Sequence, residues 1–198
     1  MRLSIFILLF IFRMTSFGQI NNYQNLLDTA LSGHGGLFVH SKPLKVTLLE
    51  PKEMWYYFEN VYKYSNQKLD TVMFSQILRN TKLGDTTLWT DEELPNFLLV
   101  QERGETVSKK YATQKFGLID DKKIKFYKNQ INKFNSTETV DRNINYFSRP
   151  VFDSSKIFAV VQWANGHSYL GDGGGIILYQ LQSENTWKEF GIILNWKY

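Results

Sequence analysis

His167, Ser168, Tyr169 and Asp172 fall in one glycine-rich stretch, Asn165-Gly166-His167-Ser168-Tyr169-Leu170-Gly171-Asp172-Gly173-Gly174-Gly175. A histidine oriented by an aspartate is a general base, and Ser168 beside them would complete a hydrolase set. The five glycines permit positive φ angles and a close approach of backbone to a ligand, with Asn165 and Tyr169 as ligand contacts. The same residues also suit a long hairpin connection or glycine bulge whose His and Asp bond to local backbone, and this simpler reading is favoured. A phosphate cradle does not fit, because the stretch lacks a P-loop lysine and leads into a strand-like run instead of a helix.

Other chemistry-bearing residues are sparser. His34 and His40 lie six positions apart, which in an extended segment puts them on one face but about 20 Å from each other. No third ligand follows from spacing, so no metal is expected. Asp91, Glu92 and Glu93 could be imagined as a glycosidase carboxylate pair, but Thr90-Asp91-Glu92-Glu93 is also a capping box and needs no catalysis to explain it. Asp120 and Asp121 read as helix-start residues. Lys109, Lys110, Lys115, Lys122, Lys123, Lys125, Lys128 and Lys133 form a local basic excess opposed only by Asp120 and Asp121 in that stretch. Lys122 and Lys125 are its candidate ligand contacts for an anionic polymer, against the competing reading of a solvated helix face. Asn135-Ser136-Thr137 is a short N-glycosylation match.

The elements that must carry these residues read as an α+β fold, with helices in the N-terminal and central parts and a C-terminal antiparallel meander of about four strands. Residues 22–32 carry Tyr23, Leu26, Leu27, Ala30 and Leu31 at helical spacing before a glycine-rich stop. Lys45 to Leu49 reads as a strand and Trp55 to Phe58 as a second strand or a helix, whereas Thr71 to Thr81 is helical. Asn96 to Glu102 reads as a strand after Pro95. The clearest helix runs from Asp120 or Asp121 to about Phe134, because Ile124, Tyr127, Ile131 and Phe134 recur at spacings of three and four. Ile144 to Phe152, Ile157 to Trp163, Ile176 to Gln182 and Trp187 to Trp196 are the four strand-like runs. The tryptophans there are assigned to the core, since burying one contributes roughly 2 to 3 kcal/mol.

Met1 and Arg2, the apolar run Leu3 to Phe12 and the ending Ser16-Phe17-Gly18 read as a signal peptide cleaved after Gly18. The run is too short to span a hydrocarbon core that needs roughly 20 helical residues. Residues 19–198 are then a single α+β domain, secreted or periplasmic and soluble, with no transmembrane segment. Arg2 and Arg13 supply two of the four net positive charges, so the mature chain is only mildly basic. The chain has no cysteine, which excludes a lipid-bearing cysteine, disulfides and thiolate metal sites.

Ser148-Arg149-Pro150-Val151-Phe152-Asp153, Phe158-Ala159-Val160-Val161, the glycine stretch, Leu178-Tyr179 and Trp187-Lys188 together resemble the C-terminal region of secreted bacterial proteins of unknown function. That resemblance implies export and a β-rich end and carries no catalytic residue. Pro150 to Val160 also resembles one strand-turn-strand unit of a periplasmic β-propeller, which the lack of any repeat excludes. The reading that follows is an exported, non-catalytic binding or interaction domain. Its partner is an unidentified protein or envelope ligand, with an anionic glycan suiting the lysine face. A cell-envelope hydrolase built on His167, Asp172 and Ser168 is the alternative, and a periplasmic immunity or inhibitor protein is the third reading. No cofactor is expected and no nucleic acid.

Overall fold

A computed structural model describes residues 23–48, 54–117, 121–166 and 173–197. Residues 1–18, which the sequence reads as a signal peptide, lie outside the described residues. Among those described, no helix is long and apolar enough to cross a membrane.

The chain opens with α1 (23–32), whose Leu26, Leu27, Ala30 and Leu31 are all buried, as their spacing requires. It then forms β1 (Phe38–His40), α2 (Met54–Ser65), α3 (Thr71–Thr81) and β2 (Leu98–Val100). The helices α4 (Lys109–Phe116) and α5 (Asp121–Ser136) follow, before β3 (Ile144–Phe147), β4 (Val151–Phe152), β5 (Phe158–Gly166), β6 (Gly173–Leu181) and β7 (Trp187–Lys197). All strands join one mixed sheet of order β2-β1-β3-β5-β6-β7, with β4 paired beside β3 on the same edge of β5. β1 pairs parallel with β2 and β3, while β4 to β7 form the antiparallel meander expected from the sequence.

Side chains alternate across this sheet and divide the core. Val39, Phe147, Val161, Tyr179 and Trp187 face α1 and the segment carrying Trp89 and Leu94. On the other face, Phe38, Leu98, Ile144, Tyr146 and Ala164 pack against α4 and α5. Val160, Ile176, Leu178 and Ile193 on that same face pack against α2 and α3. The mixed sheet is thus covered on both faces, which suits three parallel strands that need burial on either side.

Of the strand expected at 45–49, the described part, 45–48, is not a strand. Leu44 makes an isolated parallel bridge to Ser148, and the Thr47 amide then donates to the Gln162 side chain at 2.9 Å instead of to a strand carbonyl. Pro43 and the turn at Ser148 to Pro150 leave no continuous ladder for this segment to join. Trp55 to Phe58 is helical, because Tyr57, Val61 and Ser65 recur every fourth residue against β7. Gly191 makes that packing close: a Cβ there would meet Val61 Cγ1 and Ser65 Oγ at 3.0 Å. β7 is an edge strand, and two register shifts against β6 bend it while Asn60 donates to the Ile193 carbonyl at 2.9 Å. Such irregularity blunts an exposed edge against pairing with another chain.

The run from Ile144 to Phe152 splits into β3 and β4, because Ser148-Arg149-Pro150 turns the chain between them. Asp153 then closes the β4 to β5 hairpin by accepting from the Ile157 and Phe158 amides at 3.0 Å each. α4, not foreseen from periodicity, is bounded by the Ser108 cap on the Lys110 amide and by Gly117 at φ 54°. Only Ala112 of this helix is fully buried, so its sequence carries little apolar signal.

Candidate functional site

The glycine stretch is shorter as a loop than the sequence implies. β5 extends through Gly166 and β6 begins at Gly173, so Asn165, Gly173, Gly174 and Gly175 belong to paired strands. His167, Ser168, Tyr169 and Asp172, the candidate catalytic and contact residues, lie outside the described residues. Asn165 pairs across to Asn145 of β3 on one side and Gly173 on the other. On this face Trp163 lies tilted against the His34 ring with centroids 4.2 Å apart, and Phe147 meets the same ring edge-on at 5.4 Å.

Asn145 is 2% exposed; its Nδ2 donates to the Gly35 carbonyl at 3.0 Å, and its Oδ1 has no hydrogen-bond partner among the described residues. Gly36, at φ 110°, allows the overlying turn to come this close, since a Cβ there would sit 2.9 Å from that Nδ2. Half-buried His34 has its pKa lowered by desolvation. The unfolded chain therefore binds its proton first, and acidification from above 6.5 to the folded value favours unfolding. An NMR titration is expected to place the His34 midpoint below 6.5, and His34→Phe is expected to remove that component of the stability slope.

His34 and His40 are not a metal pair. His34 packs on Phe147, whereas His40 stacks on Tyr146 at 5.0 Å, and these neighbours on β3 face opposite sides of the sheet. Among the described residues, no group of three His, Cys, Asp or Glu side chains could hold a metal ion. The acidic cluster also has structural partners. Thr90 and Glu93 form the expected capping box at 3.1 and 3.3 Å around a turn. Glu93 also receives Arg149, while Asp91 accepts from the Tyr111 hydroxyl at 2.6 Å and pairs with Lys115. Lys115 is consequently withdrawn from the lysine face, its side chain only 4% exposed. Asn135, in the N-glycosylation match, holds Val107 through both ends of its amide at 2.9 and 3.0 Å.

The remaining lysine face does contain a concavity. Its volume is about 430 Å³, and it is lined by Asn96, Phe116, Lys122, Lys123, Phe126 and Tyr127. The rings of Phe116 and Tyr127 stack at 4.4 Å and join the end of α4 to the start of α5. Phe126 falls outside the apolar stripe of α5 and is 56% exposed. Of the candidate ligand contacts, Lys122 lines this concavity; Lys125 is exposed but does not line it, and Asn165 belongs to the separate cluster around His34. Phe126 was readable in the sequence as an aromatic residue out of phase with the helix. The Asn96 and Phe116 walls come from other segments and were not.

A second concavity of about 290 Å³ lies at the other end of α5, lined in part by Gly36, Gln130, Lys133, Phe134, Thr137 and Arg142. Arg142 is 6% exposed and sits 4.8 Å over the Phe134 ring. Its guanidinium donates to the carbonyls of Arg103, Glu105, Thr137 and Asn135 at 2.6, 2.7, 3.1 and 3.2 Å. Two of these carbonyls are at the C-terminal end of α5, where a cation offsets the helix dipole. Both concavities are lined by cationic and aromatic residues, exposed at the first, where Phe126 lies, and largely buried at the second. Compared with known protein families, curated proteins and solved structures, the chain matches none.

Proposed function

We propose that this is an exported, non-catalytic binding domain whose ligand is an anionic glycan held at the first concavity of α5. The observation that carries the reading is the juxtaposition of Lys122 and Lys123 with the exposed ring of Phe126 in one recess. An acidic sugar presents two complementary surfaces, a carboxylate for the ammonium groups and an apolar ring face for the aromatic side chain. Lysine suits this task as a mobile point charge at an exposed site.

The test is calorimetric titration of the protein with an oligogalacturonate and with uncharged maltotriose. Binding is expected for the first only, weakening as salt is added because exposed charges are screened over about 10 Å at 0.1 M. The pair Lys122→Glu and Lys123→Glu is expected to lower affinity by about tenfold or more, each reversal costing at least roughly 0.7 kcal/mol at a surface site. Equal affinity of the wild type and this double variant would overturn the assignment.

A further inference from the structure

We infer that the two concavities of α5 are the ends of one track that takes a linear polyanionic glycan, an inference resting on the ligand class proposed above. At about 100° per residue, Lys122, Phe126, Gln130 and Lys133 fall within an arc of about 80° on one flank of the helix. Lys122 and Phe126 line the first concavity, and Gln130 and Lys133 line the second together with Thr137 just past the end of the helix. The flank from 122 to 133 is ~17 Å long at the helical rise.

The opposite wall has the same continuity. Asn96 precedes β2, Gly36 and Leu37 lead into β1, and Arg142 and Asn143 precede β3. These three strands are parallel neighbours in the order β2-β1-β3, so the lining residues come from the leading ends of adjacent strands. The flank of α5 therefore runs beside one edge of the parallel part of the sheet from the first concavity to the second.

Charge argues for an anionic occupant along the whole length. Lys122 and Lys123 line one end and Lys133 and Arg142 the other, and among the described lining residues Asp141 is the one acid. Among the described residues no carboxylate lies within ion-pair distance of Arg142, and its four recorded acceptors are neutral carbonyls. Burial of a charge without an ionic partner is costly, and an anion in the adjoining cavity lowers that cost. A glycan suits the track better than single-stranded nucleic acid, which uses successive exposed rings as stacking platforms. Phe126 is exposed here, whereas Phe116 and Tyr127 stack on each other and Phe134 is buried under Arg142.

Titration of the protein with oligogalacturonates of two and six units tests the track. The hexamer is expected to bind at least about tenfold more tightly than the dimer, because engagement of the second concavity becomes intramolecular. Lys133→Glu, at an exposed position, is expected to abolish that gain while leaving dimer affinity unchanged, with the melting temperature lowered only slightly by an acid in the last turn of α5. Lys122→Glu is expected to weaken both ligands. Equal affinities for dimer and hexamer, or a hexamer gain that survives Lys133→Glu, would sink the track and leave the first concavity as the site. Failure of every uronate to bind would sink both proposals. Tighter binding of a twelve-nucleotide deoxythymidine strand than of the hexamer would reject the glycan as occupant.

Discussion

Arg149→Met is expected to destabilise the fold by about 3 kcal/mol in urea denaturation at neutral pH, the loss associated with removing one partner of a largely buried ion pair. The Arg149 side chain is 12% exposed and forks onto Glu93, with Nη1 to Oε1 at 2.5 Å and Nη2 to Oε2 at 3.0 Å. It also donates to the Tyr23 hydroxyl at 3.1 Å and to the carbonyls of Thr87 and Leu88, and it lies 4.5 Å over the Trp89 ring. One guanidinium thus joins α1, the 85–93 segment and the turn between β3 and β4. Methionine would keep much of the apolar contact while leaving a half-buried carboxylate and two carbonyls without their donor. Arg149→Lys is expected to recover less than half of the loss, because an ammonium cannot reproduce the fork. Asp85→Asn is expected to stay within about 0.5 kcal/mol, since that carboxylate is 59% exposed and 3.4 Å away.

The same substitution has a distinct pH signature. Burial alone would raise the Glu93 pKa, but hydrogen bonds from Arg149 and Thr90, with the Arg149 charge, hold it below its ordinary value. A depressed folded pKa contributes stability that is present above the unfolded value near 4.3 and is lost as pH falls through the folded value. Without Arg149 two of the causes that lower the Glu93 pKa are removed while desolvation stays, so the folded pKa rises relative to the wild type and the stability it contributes above the unfolded value shrinks. The gap between wild type and Arg149→Met is therefore expected to be widest at neutral pH and to shrink at pH 3. A pH-independent gap would assign the loss to packing alone.

This hub shows where sequence reasoning stops. Arg149 before Pro150 was readable as the start of an extended segment, yet its partner Glu93 is 56 residues away and no local pattern connects them. Glu93 was correctly placed in a capping box, which used one of its roles and hid the other. α1, α3 and α5 were legible because a buried face at helical spacing leaves a periodic trace, and the meander was legible because its strands are consecutive and antiparallel. β2 lies within the strand expected at 96–102, but β1 is a three-residue strand whose parallel partners come only after the α2 to α3 excursion, so neither its length nor its neighbouring sequence announces it. α4 is mostly polar and was missed for the complementary reason. Of the candidate site, the lysines and Phe126 were visible as residue types, but the recess exists only because Phe116 and Asn96 arrive from other segments.

The glycine triplet gives the second large effect, for a reason that its composition concealed. Gly174→Ala is expected to destabilise the protein by about 3 kcal/mol, at the upper end of the usual cost of overpacking. A Cβ at this position would lie 2.3 Å from Trp196 Cζ2, 2.6 Å from Cε2 and 2.6 Å from the Trp163 carbonyl oxygen. Gly174 is paired between Ala164 and Trp196, and the indole uses the missing side chain's space to reach both core clusters on the helical face that carries α2 to α5. The ring could swing away only by giving up those contacts, and the carbonyl is fixed in the β5 ladder. Gly173→Ala is the control: its nearest neighbour is the Trp196 carbonyl at 3.5 Å, an ordinary contact, so the change is expected to be neutral or slightly stabilising. Combining Gly174→Ala with Trp196→Leu separates the two clashes, since only the indole clash is relieved and the carbonyl clash persists. Partial recovery relative to the sum of the single changes is the expected coupling. A Gly174→Ala protein as stable as wild type would mean that the triplet serves the connection to residues 167–172 and not the seat of Trp196.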